Sequence, residues 1–154
     1  MTPRVDYRKA APDAFKAMLD LEAGVRRSAL EPSLIELVKM RVSQINGCAH
    51  CLDMHSKDAR AAGETEQRLY LLSAWREAPF YSARERAALG WAEAVTRLVG
   101  GDVPDELYAQ MREQFDEKGL VELTLAIIAI NGWNRMAIAF RASVGGHTVA
   151  EKAT

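Results

Sequence analysis

The chain has 154 residues, of which 49% are hydrophobic, and its 20 Lys and Arg nearly balance its 21 Asp and Glu. This length and composition are typical of one globular domain with a sizeable hydrophobic core. The balanced charge excludes a polybasic surface of the kind that binds nucleic acid or an anionic membrane.

The first fifteen residues lack the apolar core of a signal peptide, and the longest apolar run, residues 125–130, is too short to cross a bilayer. The sequence therefore predicts a cytoplasmic protein without a membrane partner. In that reducing compartment, the only two cysteines, Cys48 and Cys51, indicate catalysis, redox sensing or metal binding rather than a permanent disulfide.

Apolar residues recur at helical spacing along most of the chain, separated by Gly and Pro breaks. After an irregular arm over residues 1–11, the predicted helices span residues 12–27, 32–46, 48–62, 69–78, 82–99, 104–118 and 120–140. A single domain over residues 12–144 and a flexible tail over 145–154 follow. Because no alternating strand pattern of convincing length occurs, we predict an all-α helical bundle of about six or seven helices.

The last predicted helix is apolar on almost every side and should be central to the bundle. Its polar residues Asn131, Asn134 and Arg135 need partners. They could line the active site or form a contact between subunits of a homo-oligomer, and we favour the subunit contact. His147, in the tail, is expected to be inert.

The two cysteines lie three positions apart at the start of the third predicted helix, so their side chains share a face and can form a disulfide. The partial positive charge of a helix N-terminus favours a thiolate and lowers a cysteine pKa. His55 follows Cys51 by four residues, one turn along the same face, where it can exchange a proton. His50 points elsewhere on the helix.

Glu36 lies on the preceding helix, twelve positions before Cys48. A tight turn at Asn46-Gly47 makes the two helices antiparallel, and counting outward from the turn places Glu36 opposite His55. A carboxylate beside an imidazole orients the ring and raises its basicity. The residues therefore predict a relay from Glu36 through His55 to a cysteine.

Together, Glu36, Cys48, His50, Cys51 and His55 match the E-x11-C-x-H-C-x3-H pattern, by which the chain resembles the AhpD-like alkylhydroperoxidases of the carboxymuconolactone decarboxylase superfamily. The segments AGET (62–65), SARERAAL (82–89) and NGWNR (131–135) are similar as well. The resemblance covers residues 15–142 and implies an AhpD-like all-α fold in a homotrimer or homohexamer.

The resemblance also implies an antioxidant thiol peroxidase or disulfide reductase without a bound cofactor, acting on small organic hydroperoxides. Cys51 would attack the peroxide and Cys48 would resolve the sulfenic acid, with Glu36, His50 and His55 as the proton relay. An external dithiol or lipoyl-bearing protein would reopen the disulfide, and a peroxiredoxin is a further expected partner.

Three other interpretations fit the same residues less well. The cysteines, His55 and either His50 or Glu36 could bind zinc, although structural zinc sites usually draw on two separate knuckles. A redox-sensing interaction module is another alternative. A lactone decarboxylase of the same superfamily works without a cysteine pair, so the presence of both cysteines argues against it.

Overall fold

Helices and the turns between them make up the computed structural model, which describes residues 2–149 apart from the side chain of Val99. Eight α-helices, α1 to α8, span Tyr7–Ala10, Pro12–Arg26, Pro32–Asn46, Ala49–Ala61, Glu66–Leu71, Ala83–Arg97, Asp105–Gln114 and Glu117–Phe140. Short 3-10 turns at Leu72–Ala74 and Val99–Gly101 follow α5 and α6. Residues 2–149 contain no strand, which confirms the predicted all-α class.

The bundle is built around α3 and α8, which pack against each other. α3 also packs against α4 and α6, and α8 also packs against α2 and α6. By length and composition alone α8 could cross a membrane. In the fold, however, its residues Leu123, Ile127 and Ile130 are fully buried against the other helices. The predicted central position of the last helix is therefore confirmed.

Helix boundaries differ from the prediction at Gly119, which was expected to end the sixth helix. α7 already ends at Gln114, and Phe115 is extended. The Asp116 side chain then caps α8 by accepting a hydrogen bond from the Gly119 N–H at 2.7 Å. Aspartate is a strong N-cap residue, and here its signal outweighs that of glycine as a helix stop.

The N-terminal arm, expected to be irregular, contains the one-turn helix α1. Its formation follows from Asp6, whose side chain accepts hydrogen bonds from the backbone N–H groups of Arg8 and Lys9. The predicted limits of the domain, residues 12 and 144, remain predictions.

The C-terminal tail was predicted to be flexible over residues 145–154, of which residues 150–154 lie outside the described part of the chain. Residues 145–149 lie along α4. The Gly145 N–H donates to Asp53 Oδ2 at 3.1 Å, Lys57 Nζ donates to the His147 carbonyl at 3.2 Å, and His147 Nε2 lies 2.7 Å from Asp58 Oδ1. His147, expected to be inert, therefore holds the tail to α4.

The turn between α3 and α4 is closed by a left-handed glycine, as predicted. Gly47 has φ +69°, its N–H donates to the Gln44 carbonyl at 3.3 Å, and the Cys48 N–H donates to the Ser43 carbonyl at 3.0 Å. This pair of bonds is the Schellman arrangement, and it passes directly into Cys48 as the N-cap residue of α4. The turn therefore determines where the cysteines lie.

We expect Gly47→Ala to lower the free energy of unfolding by about 1–2 kcal/mol, because a β-carbon is unfavourable in the left-handed conformation. A β-carbon at Gly47 would meet no atom within 4 Å, so the cost is one of backbone conformation. Denaturant unfolding measures it.

The matched control is Gly24→Ala, at a helical glycine of α2 where an added β-carbon would likewise meet no atom within 4 Å. That variant should be more stable by about 0.5–1 kcal/mol, since alanine favours a helix over glycine. Equal effects at the two positions would contradict the role given to the Gly47 turn.

Candidate active site

Both cysteines lie at the start of α4, as the sequence predicted. Cys48 is the N-cap residue of α4 and Cys51 lies in its first turn, and both side chains are free thiols that are 1% exposed. Cys48 nevertheless lines a cavity of about 330 Å³, whereas Cys51 lines none of the described cavities. The cavity thus lies beside Cys48, although both cysteines are equally buried.

The pKa values of the two thiols are shifted in opposite directions. The pKa of Cys48 is lowered to about 6, mainly by a hydrogen bond with the neighbouring Cys51 thiol, which outweighs the opposing effect of burial. The Cys51 backbone N–H and the charge of His50 lower this pKa further. The pKa of Cys51 is raised, first by Cys48 and then by burial. The reduced pair therefore holds one thiolate near neutral pH, and the resting charge lies on Cys48.

Asn134 supports this pair from α8. It is fully buried, its Nδ2 donates to Ser43 Oγ at 3.0 Å, and its Oδ1 accepts from Asn46 Nδ2 at 2.8 Å. Its side chain also lowers the pKa of both cysteines. The expected subunit contact is therefore wrong for Asn134, because its partners lie within the chain.

Asn131 and Arg135, which share that expectation, also find partners within the chain. The Asn131 side chain donates to Thr96 Oγ1 at 3.0 Å and accepts from Asn46 at 2.9 Å. Arg135 is exposed and donates to Asn131 Oδ1 at 2.8 Å. The sequence left two places open for these three polar residues, the active site and a subunit contact, and only the structure shows that Asn134 acts on the cysteines.

Glu36 and His55 form the contact that was predicted from the α3–α4 turn. His55 is 5% exposed, and its Nδ1 lies 2.8 Å from Glu36 Oε2. An ionised carboxylate only accepts hydrogen bonds, so the imidazole donates through Nδ1 and keeps Nε2 as a proton acceptor. The predicted juxtaposition is confirmed, and its catalytic role stays a prediction.

His50 is separate from this pair. Its Nδ1 lies 2.6 Å from the Ser143 carbonyl oxygen, so the ring donates to the tail. Its charge acts on Cys48, and it lines the cavity beside that residue. The structure thus divides the predicted relay residues, with His50 beside Cys48 and the Glu36–His55 pair elsewhere.

A second cavity, of about 850 Å³, lies on the Glu36 side of α4. It combines charged residues with an apolar wall, and its lining includes Glu36, Lys39, Asp58, Ile35, Leu30 and Val149. The tail residues His147 to Val149 form one of its edges. Space therefore lies next to Cys48 on one side and next to Glu36 on the other.

Among the described residues, one group has the ligand atoms for a metal ion. Glu36, His55 and Asp58 place them within 4.8 Å of one another. Neither cysteine belongs to this group, so the predicted zinc set of two thiolates with His55 is not brought together. Glu36 and His55 bind each other instead.

Comparison with known proteins gives one matching family. The model of the carboxymuconolactone decarboxylase family matches residues 12–94, a segment that contains both cysteines and the Glu36–His55 pair. An uncharacterised Bacillus subtilis protein, YdfG, is 50% identical over 139 residues, which cover 90% of this chain and 95% of YdfG.

Two solved structures are similar over most of the chain. ATU0492 from Agrobacterium tumefaciens, a protein of unknown function provisionally described as an antioxidant defence protein AhpD, is 46% identical with a TM-score of 0.90, covering 95% of this chain and 100% of that one. An uncharacterised peroxidase-related protein from Silicibacter is 28% identical with a TM-score of 0.74, covering 87% of this chain and 70% of that one.

We expect Asn134→Ala to raise the pH midpoint of thiol alkylation above its value near 6, because the amide that lowers the pKa of both cysteines is removed. It should also cost about 1–3 kcal/mol of unfolding free energy, since Ser43 and Asn46 lose a buried partner. Iodoacetamide labelling between pH 4 and 9 measures the midpoint.

Asn131→Ala is the matched control, because it cuts the same hydrogen-bond network without touching the cysteines. It should destabilise the fold and leave the alkylation midpoint in place. A midpoint that moves equally in both variants would assign the effect to general loosening of the network.

Proposed function

The chain belongs to the carboxymuconolactone decarboxylase family and has an AhpD-like fold, and on this premise we propose that it is a thiol-dependent reductase of small organic hydroperoxides. The observation that carries the proposal is a buried Cys48–Cys51 pair that shares one proton near neutral pH, one helical turn from a histidine held by a carboxylate. Dithiol chemistry needs a thiolate, a second thiol and a group that moves protons, and the cysteine pair with the Glu36–His55 pair is the proposed source of all three.

The reaction is proposed in two steps. The Cys51 thiolate attacks the distal peroxide oxygen, the O–O bond breaks, and the alkoxide takes a proton to leave as alcohol. Cys48 then attacks the sulfenic sulfur of Cys51, and water leaves as the disulfide forms. One hydroperoxide thus becomes an alcohol and a water, and the two thiols supply the two electrons.

Cys51 is assigned the attack by resemblance and by its place one turn before His55 on the same face of α4. The resting charge on Cys48 supports the reverse order. Because the sulfurs share one proton, moving that proton from Cys51 to Cys48 transfers the charge to Cys51 before attack. Which cysteine attacks first therefore does not change the overall reaction.

The proposed reductant is an external dithiol, such as a lipoyl-bearing protein, and no bound cofactor is needed. The cavity beside Cys48 suits this exchange, because its lining includes the apolar side chains of Ala137, Ile138 and Val144 and Cys48 lies at its edge. A peroxiredoxin is the proposed protein partner in the same electron transfer.

A homotrimer or homohexamer in the cytoplasm completes the proposal. On α8, Val121, Leu125 and Ile128 are exposed at successive turns and form an apolar stripe opposite the buried face. Such a stripe is more consistent with a subunit contact than with solvent. The zinc alternative has less support, since the cysteines stand outside the described ligand cluster.

We expect one equivalent of an organic hydroperoxide, added to the reduced metal-free protein without reductant, to remove both thiols and two hydrogens from the intact mass. Loss of two hydrogens together with both thiols requires a Cys48–Cys51 disulfide, because the chain has no other cysteine, whereas oxidation of a methionine would add an oxygen. Intact-mass spectrometry with a free-thiol count measures this. Two untouched thiols would rule out a peroxidatic pair.

Two single variants accompany this measurement. In Cys48→Ser, a dimedone-type trap should label a sulfenic acid on Cys51, whereas Cys51→Ser should not be labelled. A label on Cys48 in the Cys51→Ser protein would reverse the order of attack and leave the overall reaction unchanged.

We expect Glu36→Gln to shift the pH profile of peroxide-driven disulfide formation to higher pH, by about one unit. Glutamine removes the carboxylate that lies 2.8 Å from His55 Nδ1, so the imidazole takes up the thiol proton less readily and a higher pH is needed to form the thiolate. Glu31→Gln is the control, because Glu31 is the N-cap residue of the same helix and pairs with Arg84 instead. Identical profiles for all three proteins would remove Glu36 from the relay.

A further inference from the structure

Lys39 is a buried cation that the relay described above does not use. The residue is only 2% exposed and lies on α3, one turn after Glu36. Taking an ammonium group out of water costs several kcal/mol, and a buried ion pair repays this cost only with good geometry. Fold stability alone therefore does not explain why a lysine is buried at this position.

The ammonium is held in place from α2 and α8. Lys39 Nζ forms an ion pair with Glu22 Oε1, and the other oxygen of Glu22 accepts from Trp133 Nε1 at 3.3 Å. Arg26 Nε approaches the same carboxylate at 3.4 Å. These contacts, together with the lysine, lower the pKa of Glu22 despite its burial. The lowered pKa keeps Glu22 ionised at neutral pH, and the position of the ion pair is determined by three helices.

Lys39 lies opposite the buried Cys51 in the register of the two helices. Glu36 on α3 contacts His55 on α4, and Lys39 and Cys51 each lie one turn nearer the Gly47 turn, on the same faces of these antiparallel helices. The positive charge of Lys39 favours the charged form of Cys51 and acts against the combined effects of Cys48 and burial, which raise the pKa of that thiol.

Around the cysteine pair, His50 acts on Cys48, Arg141 lines the cavity beside Cys48, and the Glu36–His55 contact lies one turn farther along α4. Lys39 differs from these groups because it is a buried amine that an ion pair with Glu22 Oε1 holds in place.

We propose that Lys39, held by Glu22, is a positioning residue that stabilises negative charge on Cys51 whenever this sulfur is the attacking or the leaving thiolate. This deepens the proposed function and rests on it for the catalytic consequence. Without the lysine, the single charge of the pair would stay on Cys48, and the sulfur next to the His55 relay would remain a thiol.

The charge develops on Cys51 in both directions of the cycle. In reduction, a thiolate of the external dithiol attacks Cys48, the S–S bond breaks, and Cys51 leaves with the electron pair and later takes a proton. The second donor thiol then attacks the mixed disulfide and releases Cys48, so that the donor ends as a disulfide. A buried cation beside Cys51 lowers the barrier to the leaving step, and it raises the fraction of Cys51 that is present as thiolate for the attack on peroxide.

The test uses a Cys48→Ser background, in which Cys51 titrates alone and no peroxide is needed. There the pH midpoint of Cys51 alkylation by iodoacetamide should rise by about one unit in Lys39→Met, a tenfold loss of thiolate below the midpoint. Lys39→Arg should restore the midpoint to within about threefold in thiolate, since the charge is kept.

The chain offers a matched control on the same helix. Arg41 is also buried on α3 and forms an ion pair with buried Glu93 at 2.8 Å, but it does not act on either cysteine. Arg41→Met should destabilise the fold and leave the Cys51 midpoint in place. Equal shifts in Lys39→Met and Arg41→Met, or no shift in either, would overturn the proposal.

Two further measurements keep the result decisive. If Lys39→Met does not fold, the double variant Lys39→Met with Glu22→Gln removes both buried charges and should show the same rise in midpoint. In the chain with both cysteines, reduction of the preformed disulfide by dithiothreitol should slow about tenfold in Lys39→Met. If the midpoint shifts in a protein that does not reduce peroxide, the effect of Lys39 on Cys51 stands and the proposed peroxidase function is wrong.

Discussion

The left-handed turn at Gly47 is the constraint on which the rest of the site depends. It reverses the chain within two residues, so that α3 and α4 lie antiparallel and in contact. Cys48 becomes the N-cap residue of α4 because its N–H closes the turn, and the same reversal brings Glu36 to His55 across the two helices. A longer connection would determine neither the position of Cys48 nor the Glu36–His55 contact.

Buried charge in this protein is concentrated on α3. Lys39 and Arg41 lie two residues apart, and each pairs with a carboxylate from another helix, Glu22 or Glu93. Side chains two residues apart on a helix point in different directions. One pair therefore faces the cysteine side, while the other lies under the Trp75 ring nitrogen, which donates to Glu93 at 2.9 Å. The two buried ion pairs of α3 therefore lie in different parts of the core.

The helix that carries the cysteines has different surroundings on its two sides. Cys48 and His50 border one cavity, whereas Glu36 and Asp58 border the other, and the C-terminal tail runs along α4 between them. This arrangement suits a pair of sulfurs with unequal tasks. In the proposed reaction a partner would reach Cys48 through its cavity, and proton transfer would take place at Cys51, where burial strengthens the effect of nearby charges.

Local patterns in the sequence determined most of the helices and the core of the site. Helical periodicity and caps specify α2, α3, α4, α6 and the body of α8, and the short Asn46-Gly47 turn makes the Glu36–His55 contact a matter of counting residues.

Only the tertiary structure brought Asn134 and Lys39 to the cysteines and His147 to α4. Asn134 and His147 lie more than eighty positions from their partners. Lys39 resembles a surface lysine until Glu22 from another helix covers it. Such contacts depend on how whole helices pack, and residue spacing along one helix carries no record of that packing.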